Sequence, residues 1–282
     1  MTATERRSVT LPSGHVVPAL GLGTWRLGED PNRRPQEIAA LRLALDLGMT
    51  VIDTAELYGE GATERLVGEA IHGRRNEVFL VSKVLPGHST RELTLAACAA
   101  SLGRLRTDHM DLYLLHWRGS TPLSETVDAF THLVATGQIR HWGVSNFDMN
   151  DMKELLSTPG GSAVSCNQVL YNLSRRGIEF DLLPWCRDHG IPIMAYSPIE
   201  QARLLAHKTV KRVAGRHNAT PAQLCLAWVL RQKGVIAIPK AGSPEHVRED
   251  YDALEIELTP GDLHELDEAF PPPREPQPLE MI

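Results

Sequence analysis

The chain has 282 residues, of which 42% are hydrophobic and 23% are charged, with 29 basic residues against 35 acidic ones. This apolar content can bury a large core, which excludes a disordered or fibrous protein. The formal net charge of −6 argues against a protein that coats nucleic acid, because such proteins carry a basic surplus. No run of about 18 uncharged apolar residues and no N-terminal signal core is present, so we expect a cytoplasmic protein with no membrane partner.

Short apolar runs alternate with helical patterns along most of the chain. Such runs are typical of strands that are buried on both faces of a parallel sheet. They occupy residues 19–23, 50–52, 78–82, 112–115, 141–145, 163–166, 191–195 and 235–239. Eight strand–helix units in this length predict a (β/α)8 TIM barrel rather than an open sheet.

The two ends of the chain differ from this pattern. An N-terminal β-hairpin is predicted at about residues 8–17, around a Pro-Ser-Gly turn at 12–14. The Pro-rich tail at about 271–282 cannot form a regular helix, so we expect it to lie over the surface. No linker or low-complexity tract interrupts the sequence, so we expect residues 1–282 to form one domain.

Helix starts are marked by hydroxyl residues. Ser89 with Glu92 and Thr220 with Gln223 have the spacing of a capping box. In addition, a proline that follows directly after a capping hydroxyl is typical of a first helical turn. This pattern occurs at Thr121, Thr220, Ser243 and Thr259.

Polar residues stand at or near the ends of the predicted strands. In a barrel these side chains would surround the C-terminal mouth, where barrel enzymes carry their chemistry. They are Asp53, Lys83, His116, Asn146, Gln168, Tyr196 and Lys240. The four cysteines lie far apart with no Cys-x-x-Cys pair, and no His/Cys cluster has zinc spacing. We therefore expect reduced thiols and no metal site.

A narrower group consists of Asp53, Lys83, His116 and Tyr58, which lies five residues after Asp53. Tyrosine is a poor acid near neutrality, and a neighbouring ammonium favours its phenolate. A carboxylate would hold that ammonium in place. The Asp–Lys–Tyr set thus predicts a phenol that donates a proton, while a neutral imidazole orients a substrate carbonyl.

Seven motifs in the same order together resemble the aldo-keto reductase family over essentially the whole chain. They are GLGTW (21–25), DTAELY (53–58), VSK (81–83), LHW (115–117), GVSNF (143–147), NQ (167–168) and IPK (238–240). The chain is most similar to short bacterial members that reduce methylglyoxal and other small aldehydes. The resemblance implies NADPH as cofactor, with Tyr58 as general acid, Lys83 and Asp53 tuning it, and His116 orienting the carbonyl.

The resemblance also implies which residues contact the cofactor. Because a third glycine is missing after the GLG of the first motif, the Rossmann fingerprint fails, which agrees with this family. The implied contacts are Gly23, Thr24, Trp25, Asp53, Ser145, Asn146, Gln168, Tyr196, Ser197, Pro198, Lys240, Ser243, Glu249 and Asp250. Substrate contacts are expected from Trp25, Tyr58, His116 and Trp117.

The phosphate-binding end departs from the pattern of the family. Ala241 and His246 stand where many NADPH-selective relatives have serine and arginine, and Asp250 replaces an asparagine. Loss of that arginine removes a 2′-phosphate contact, so NADPH is expected with NADH less firmly excluded. Arg248 is a candidate replacement, although relatives commonly point this residue outward.

The loop after His116 is short, which predicts an open site for small carbonyl compounds. Glu200 and Gln201 either line the site or are solvated loop residues, and the sequence slightly favours the second. The protein is expected to act as a monomer without nucleic acid. The sequence leaves two other functions open. One is a non-catalytic cofactor-sensing barrel, and the other is a Schiff-base lyase or aldolase that uses Lys83.

Overall fold

Eight parallel strands enclosed by helices form the centre of the protein. The computed structural model describes residues 7–282. Each strand pairs with its neighbour in chain order. The strands are β3 (Leu22–Gly23), β4 (Val51–Asp53), β5 (Phe79–Val84), β6 (Met110–Leu115), β7 (Ile139–Ser145), β8 (Asn167–Leu170), β9 (Ile193–Tyr196) and β10 (Val235–Ile238).

Parallel bridges join the first and last strand regions and complete the barrel. Leu20 pairs with Ala237, and Gly23 pairs with Lys240. The predicted (β/α)8 barrel is therefore confirmed. Its interior and the layer between strands and helices form one continuous apolar core, because parallel strands bury both of their faces.

Helices follow the strands and cover the barrel. They are α1 (Arg34–Asp46), α2 (Ala62–Ala70), α3 (Arg91–Leu105), α4 (Leu123–Ala135), α5 (Met149–Ser157), α6 (Leu182–Asp188), α7 (Lys208–Arg216), α8 (Pro221–Leu230), α9 (Pro244–Asp252) and α10 (Pro260–Ala269). None of the helices within residues 7–282 is long and apolar enough to cross a membrane.

The N-terminal hairpin is also confirmed. Strands β1 (Ser8–Thr10) and β2 (Val16–Pro18) pair in antiparallel fashion. The ring of His15 lies 5.4 Å from that of Phe79, at the start of β5. The hairpin therefore covers the N-terminal end of the barrel and leaves the opposite end accessible.

Three of the predicted helix starts are confirmed. Thr220 and Thr259 form capping boxes, and Ser243 Oγ accepts a hydrogen bond from the backbone N–H of His246. Each hydroxyl satisfies an N–H group of the first turn that has no partner within the helix.

Two predicted helix starts are wrong. Thr90, not Ser89, caps α3, because the hydroxyl of Ser89 donates to the carbonyl of Pro86 in the preceding turn. Helix α4 begins only at Leu123, because Pro122 has an extended ψ of 134° and is itself the residue before the helix.

The sixth barrel strand lies later than predicted. Residues Gly161–Ala163 form a 3-10 turn, and β8 begins only at Asn167. Apolar residues at 163–166 suggested the strand, whereas the strand itself carries the two amides of Asn167 and Gln168. These amides can be buried because both hydrogen-bond inside the barrel, to the carbonyl of Phe147 and to Asp53.

We expect the barrel closure to be sensitive to a single methyl group. A Cβ on Gly23 would lie 2.8 Å from the backbone oxygen of Ile238, so the two strands would have to separate. Gly23→Ala should lower the free energy of unfolding by about 1–3 kcal/mol, measured by urea denaturation.

Gly103→Ala is the matched control for this prediction. Gly103 lies in α3, and a Cβ there would have no heavy atom within 4 Å. Alanine favours the helix, so this variant should be stabilised by about 0.5–1 kcal/mol. Equal stability of Gly23→Ala and the wild type would contradict the close approach of the strands.

Candidate active site

A cleft of about 860 Å³ opens at the C-terminal ends of the barrel strands. It brings together most of the residues singled out in the sequence. Those lining it are Gly23, Thr24, Trp25, Asp53, Tyr58, His116, Trp117, Ser145, Asn146, Gln168, Tyr196, Ser197, Pro198, Lys240, Glu249 and Asp250. Lys83 lies directly beneath this lining, whereas Ser243 does not line the cleft and caps α9 instead.

Lys83 lies fully buried in β5 and uses all three of its N–H donors. Its Nζ donates to Asp53 Oδ2 at 2.7 Å, to the carbonyl of Thr54 at 2.8 Å and to the Tyr58 hydroxyl at 3.2 Å. Burial alone would lower the pKa of Lys83, but Asp53 and Tyr58 outweigh this effect and raise it. Lys83 is therefore a fixed ammonium.

Asp53 is held from two further directions. Gln168 Nε2 donates to the other carboxylate oxygen, Oδ1, at 2.8 Å, and the Thr24 hydroxyl donates to the Asp53 carbonyl at 2.8 Å. The loop after β3 thus holds the backbone of Asp53, and side chains of β5 and β8 meet at its carboxylate. Its orientation fixes the direction in which Lys83 points.

The Tyr58 hydroxyl accepts a hydrogen bond from Lys83, so its own proton remains available to a ligand. Burial raises the pKa of Tyr58, and the opposing effect of Lys83 does not outweigh it. The sequence suggested the pKa-lowering effect of the ammonium, whereas the net shift is upward. Tyr58 is therefore protonated near neutrality and can donate its proton.

His116 lies beside Tyr58, with the two ring centroids 5.9 Å apart. Burial and, to a smaller extent, the positive charge of Lys83 lower its pKa to about 3. Its Nδ1 is buried without a hydrogen-bond partner in the part of the chain that the structure describes. The imidazole is thus neutral, and its other nitrogen, Nε2, is the one left for a ligand.

An amide and a phenol form the neighbouring wall. Asn146 has a positive φ of 58°, which asparagine tolerates better than most residues. Its Nδ2 donates to the His116 carbonyl at 3.1 Å and to Ser145 Oγ at 3.2 Å, while Tyr196 donates to its Oδ1 at 2.9 Å. These bonds fix the orientation of the amide and of the Tyr196 ring.

The other end of the cleft contains Lys240, Glu249 and Asp250. Glu249 accepts a hydrogen bond from Thr220 Oγ1 at 2.6 Å. Burial, and secondarily the charge of Glu249, raise the pKa of Asp250 well above the usual range of a carboxyl group. A neutral carboxyl can both donate and accept, as the amide of the asparagine that it replaces would.

The cleft is also lined by several apolar residues that the sequence motifs did not indicate. These are Leu57, Ile199, Leu205, Ala222, Ile238, Met281 and Ile282. The last two belong to the tail, which was expected to lie over the surface. Arg175 pairs with Glu280 and holds the end of the tail at the mouth. In the sequence, the only indication that the tail packs at the cleft is the pair of large apolar side chains at the end of a polar, Pro-rich segment.

The favoured expectation is wrong for Glu200, whereas Gln201 is exposed as expected. Gln201 lines the cleft, and Glu200 is buried, where it accepts hydrogen bonds from Asn172 and Arg175. Both residues have a positive φ within the irregular segment Glu200–Ala206. Sequence spacing gave no indication of this turn, because its direction depends on partners that are about 25 residues away.

Comparisons with known proteins agree with this geometry. The family model described as "Aldo/keto reductase family" matches residues 19–270. The chain belongs to the aldo/keto reductase family. Among relatives, methylglyoxal reductase YeaE from Escherichia coli K12 is 51% identical over 96% of this chain and 97% of its own length. Glyoxal reductase from Bacillus subtilis is 34% identical, covering 95% and 94%.

Solved structures of other aldo/keto reductases have the same fold. An enzyme from Klebsiella pneumoniae, in complex with NADP and acetate, is 51% identical and superposes with a TM-score of 0.96 over 98% of this chain and 99% of its own. The aldo/keto reductase Tm1743, in complex with the inhibitor epalrestat, is 42% identical with a TM-score of 0.86, covering 93% and 98%.

We expect the His116 imidazole to stay neutral between pH 5 and pH 8, because its pKa of about 3 lies well below this range. In a ¹H–¹⁵N spectrum of imidazole nitrogens, its signals should not shift across this interval. They can be identified by their absence from the spectrum of His116→Gln. An inflection near the ordinary histidine pKa of about 6.5 would contradict the buried, neutral state.

Proposed function

We propose that this aldo/keto reductase uses NADPH to reduce small aldehydes and 2-oxoaldehydes such as methylglyoxal to alcohols. The observation that carries the proposal is the chain of contacts from Asp53 through Lys83 to the Tyr58 hydroxyl, which ends in the cleft beside a neutral His116. A protonated phenol and a neutral imidazole converge there on space large enough for a ligand. This arrangement suits protonation of a carbonyl oxygen.

In this mechanism the protein acts on the carbonyl oxygen of the substrate. The Tyr58 hydroxyl and the free nitrogen of His116 hold the oxygen, and Tyr58 donates its proton as negative charge develops there. Lys83, fixed by Asp53, stabilises the phenolate that remains. The nicotinamide cofactor supplies the hydride to the carbonyl carbon. A neutral His116 adds a hydrogen bond without competing for the proton.

The described residues fit a nicotinamide dinucleotide. Asn146 and Tyr196 form a wall whose amide and ring are already oriented, and Ser145 and Gln168 add polar groups beside it. These residues would hold the nicotinamide. At the other end, Asp250 is buried against the cleft with no hydrogen-bond partner for its side chain within residues 7–282, and would hold the adenine base.

The substrate class follows from the mouth of the barrel and from the relatives. Trp25, Trp117 and Met281 supply apolar side chains around the space in front of Tyr58 and His116. The tail narrows this space, which favours small carbonyl compounds. The similarity to methylglyoxal reductase YeaE and to a glyoxal reductase supports the same class.

The environment of Lys83 argues against a Schiff-base mechanism. An imine-forming lysine must lose its proton and reach the substrate. Lys83 is fully buried, and the net effect of its surroundings is to raise its pKa. All three of its donors are engaged, so it is suited to holding Tyr58 in place.

We also propose that the chain acts as a single-domain monomer in the cytoplasm, without nucleic-acid or membrane partners. Residues that reach the cleft come from the first strand of the barrel through to the last residues of the tail. One chain thus supplies the whole cleft. The net charge of −6 and the dispersed cysteines support the same conclusion.

We expect Tyr58→Phe to lower turnover of methylglyoxal by about 10²–10⁴-fold, because the proton donor is lost. Binding of NADPH, followed by fluorescence, should remain nearly unchanged. Tyr113→Phe is the matched control. This tyrosine is buried against Phe130 outside the cleft, and its variant should keep normal turnover.

The assay follows oxidation of NADPH and NADH at 340 nm with methylglyoxal, glyoxal, a larger aldehyde and a ketone in separate reactions. Reduction of the small dicarbonyls is the expected result. Normal turnover in Tyr58→Phe would overturn the role of Tyr58. Tight cofactor binding with no reduction of any carbonyl would overturn the enzymatic function in favour of a cofactor-sensing barrel.

A further inference from the structure

The end of the cleft around Lys240 carries positive charge from Lys240 and from Arg33, whose ion pair with Glu37 is long. Lys240 follows β10, and no carboxylate among residues 7–282 lies within ion-pair distance of its ammonium group. Partial burial, followed by the positive charge of Arg33, lowers the pKa of Lys240. An anion at this position would relieve the repulsion between the two cations.

Arg33 approaches Lys240 from a different part of the chain. It directly precedes α1, and α1 packs against α9, whose first turn follows Lys240. A Cβ built on Gly242 would lie 2.9 Å from Arg33 Nη2 and 3.5 Å from Lys240 Nζ. The two positive groups therefore lie beside the same glycine, close enough for one phosphate to contact both.

The guanidinium of Arg33 is still free to bind an anion. Its nearest carboxylate is Glu37, with Nε and Oε1 3.8 Å apart, which is too far for a hydrogen bond. Glu37 itself accepts a hydrogen bond from the backbone N–H of Gly28. Arg33 is half-exposed, and its side chain donates no hydrogen bond within residues 7–282. It thus keeps its full set of donors.

Other nearby arginines do not meet these conditions. The guanidinium of Arg26 lies over the Trp25 ring, 4.5 Å from the ring centroid, whereas Arg33 Nη2 is the atom nearest to the Cβ position of Gly242. Arg248 is exposed on α9, and its charge is not among those that chiefly shift the pKa of Lys240, whereas that of Arg33 is. His246, which does line the cleft, lacks the planar fork of donors that binds a phosphate in bidentate fashion.

We propose that Arg33, together with Lys240, binds the 2′-phosphate of NADPH and determines the preference for NADPH over NADH. Arg33 then supplies the charge that many NADPH-selective relatives are expected to carry at the position of His246. The absence of a side chain on Gly242 leaves room for Arg33 to approach. This inference rests on the proposed cofactor and assigns it a residue from the first loop of the barrel.

Isothermal titration calorimetry tests the proposal without relying on catalysis. The probes are NADP⁺ and NAD⁺, together with adenosine 2′,5′-bisphosphate and 5′-AMP, which differ only in the 2′-phosphate. Arg33→Gln should weaken NADP⁺ and the bisphosphate by roughly 10- to 100-fold, while NAD⁺ and AMP change by less than about twofold. Arg33→Lys should fall between the wild type and Arg33→Gln for NADP⁺.

Two control variants each remove one positive charge from another arginine close to this site. The guanidinium of Arg34 is held by Glu69, so Arg34→Gln should leave all four affinities unchanged. Arg248→Gln tests the rival residue on α9 and should also have no effect. Circular dichroism melting curves that match the wild type establish that each variant is folded.

The possible results separate the two proposals. If the wild type prefers NADP⁺ and Arg33→Gln has the same preference, the assignment of Arg33 is overturned and the proposed function stands. Equal weakening of NADP⁺ and NAD⁺ in Arg33→Gln, or selective weakening in Arg248→Gln alone, also overturns the assignment. A wild type that binds none of the four probes overturns both the proposed function and this inference.

Discussion

The buried ammonium of Lys83 is the constraint on which the site depends. An ammonium with no access to water is costly unless each of its protons meets an acceptor. Asp53, the carbonyl of Thr54 and the Tyr58 hydroxyl are those three acceptors, so their positions are fixed together. Through Asp53 the constraint reaches Gln168 in β8. One buried charge thereby links three of the barrel strands, β4, β5 and β8, at the mouth, and the same charge helps to keep the nearby imidazole neutral.

The opposite end of the cleft uses charge in a different way. There the positive groups are exposed or half-exposed, and residues 7–282 place no direct carboxylate partner beside Lys240. A protein with a net charge of −6 can still bind an anionic ligand, because affinity depends on the local arrangement of charge. The two ends of the cleft therefore have different roles in the function that we propose. At the inner end the buried ammonium has an acceptor for each of its protons, whereas the outer end keeps unsatisfied donors for a phosphate.

The mouth of the barrel is built from distant parts of the sequence. Gln201 lies in an irregular segment between β9 and α7, and Met281 and Ile282 end the chain. Polar contacts hold both segments, since Arg175 pairs with Glu200 and with Glu280. The short loop after His116 suggested an open site. The tail supplies part of the missing wall, which preserves the preference for small ligands and adds apolar contacts to it.

The amino-acid sequence by itself determined the barrel, the hairpin and the polar group around Lys83, because periodic apolar runs and motif residues at strand ends are local signals. The sequence predicted β8 too early in the chain, because Asn167 and Gln168 resemble loop residues. Only the folded protein shows the partners that allow these two amides to be buried. The sequence also suggested that Lys83 would lower the pKa of Tyr58. Only the folded protein decides that burial outweighs this effect, since desolvation depends on everything packed around the phenol. Gln201 and Met281 reach the cleft, and Arg33 reaches Lys240, for the same reason. Their positions depend on contacts between segments far apart in the chain, and no local pattern records those contacts.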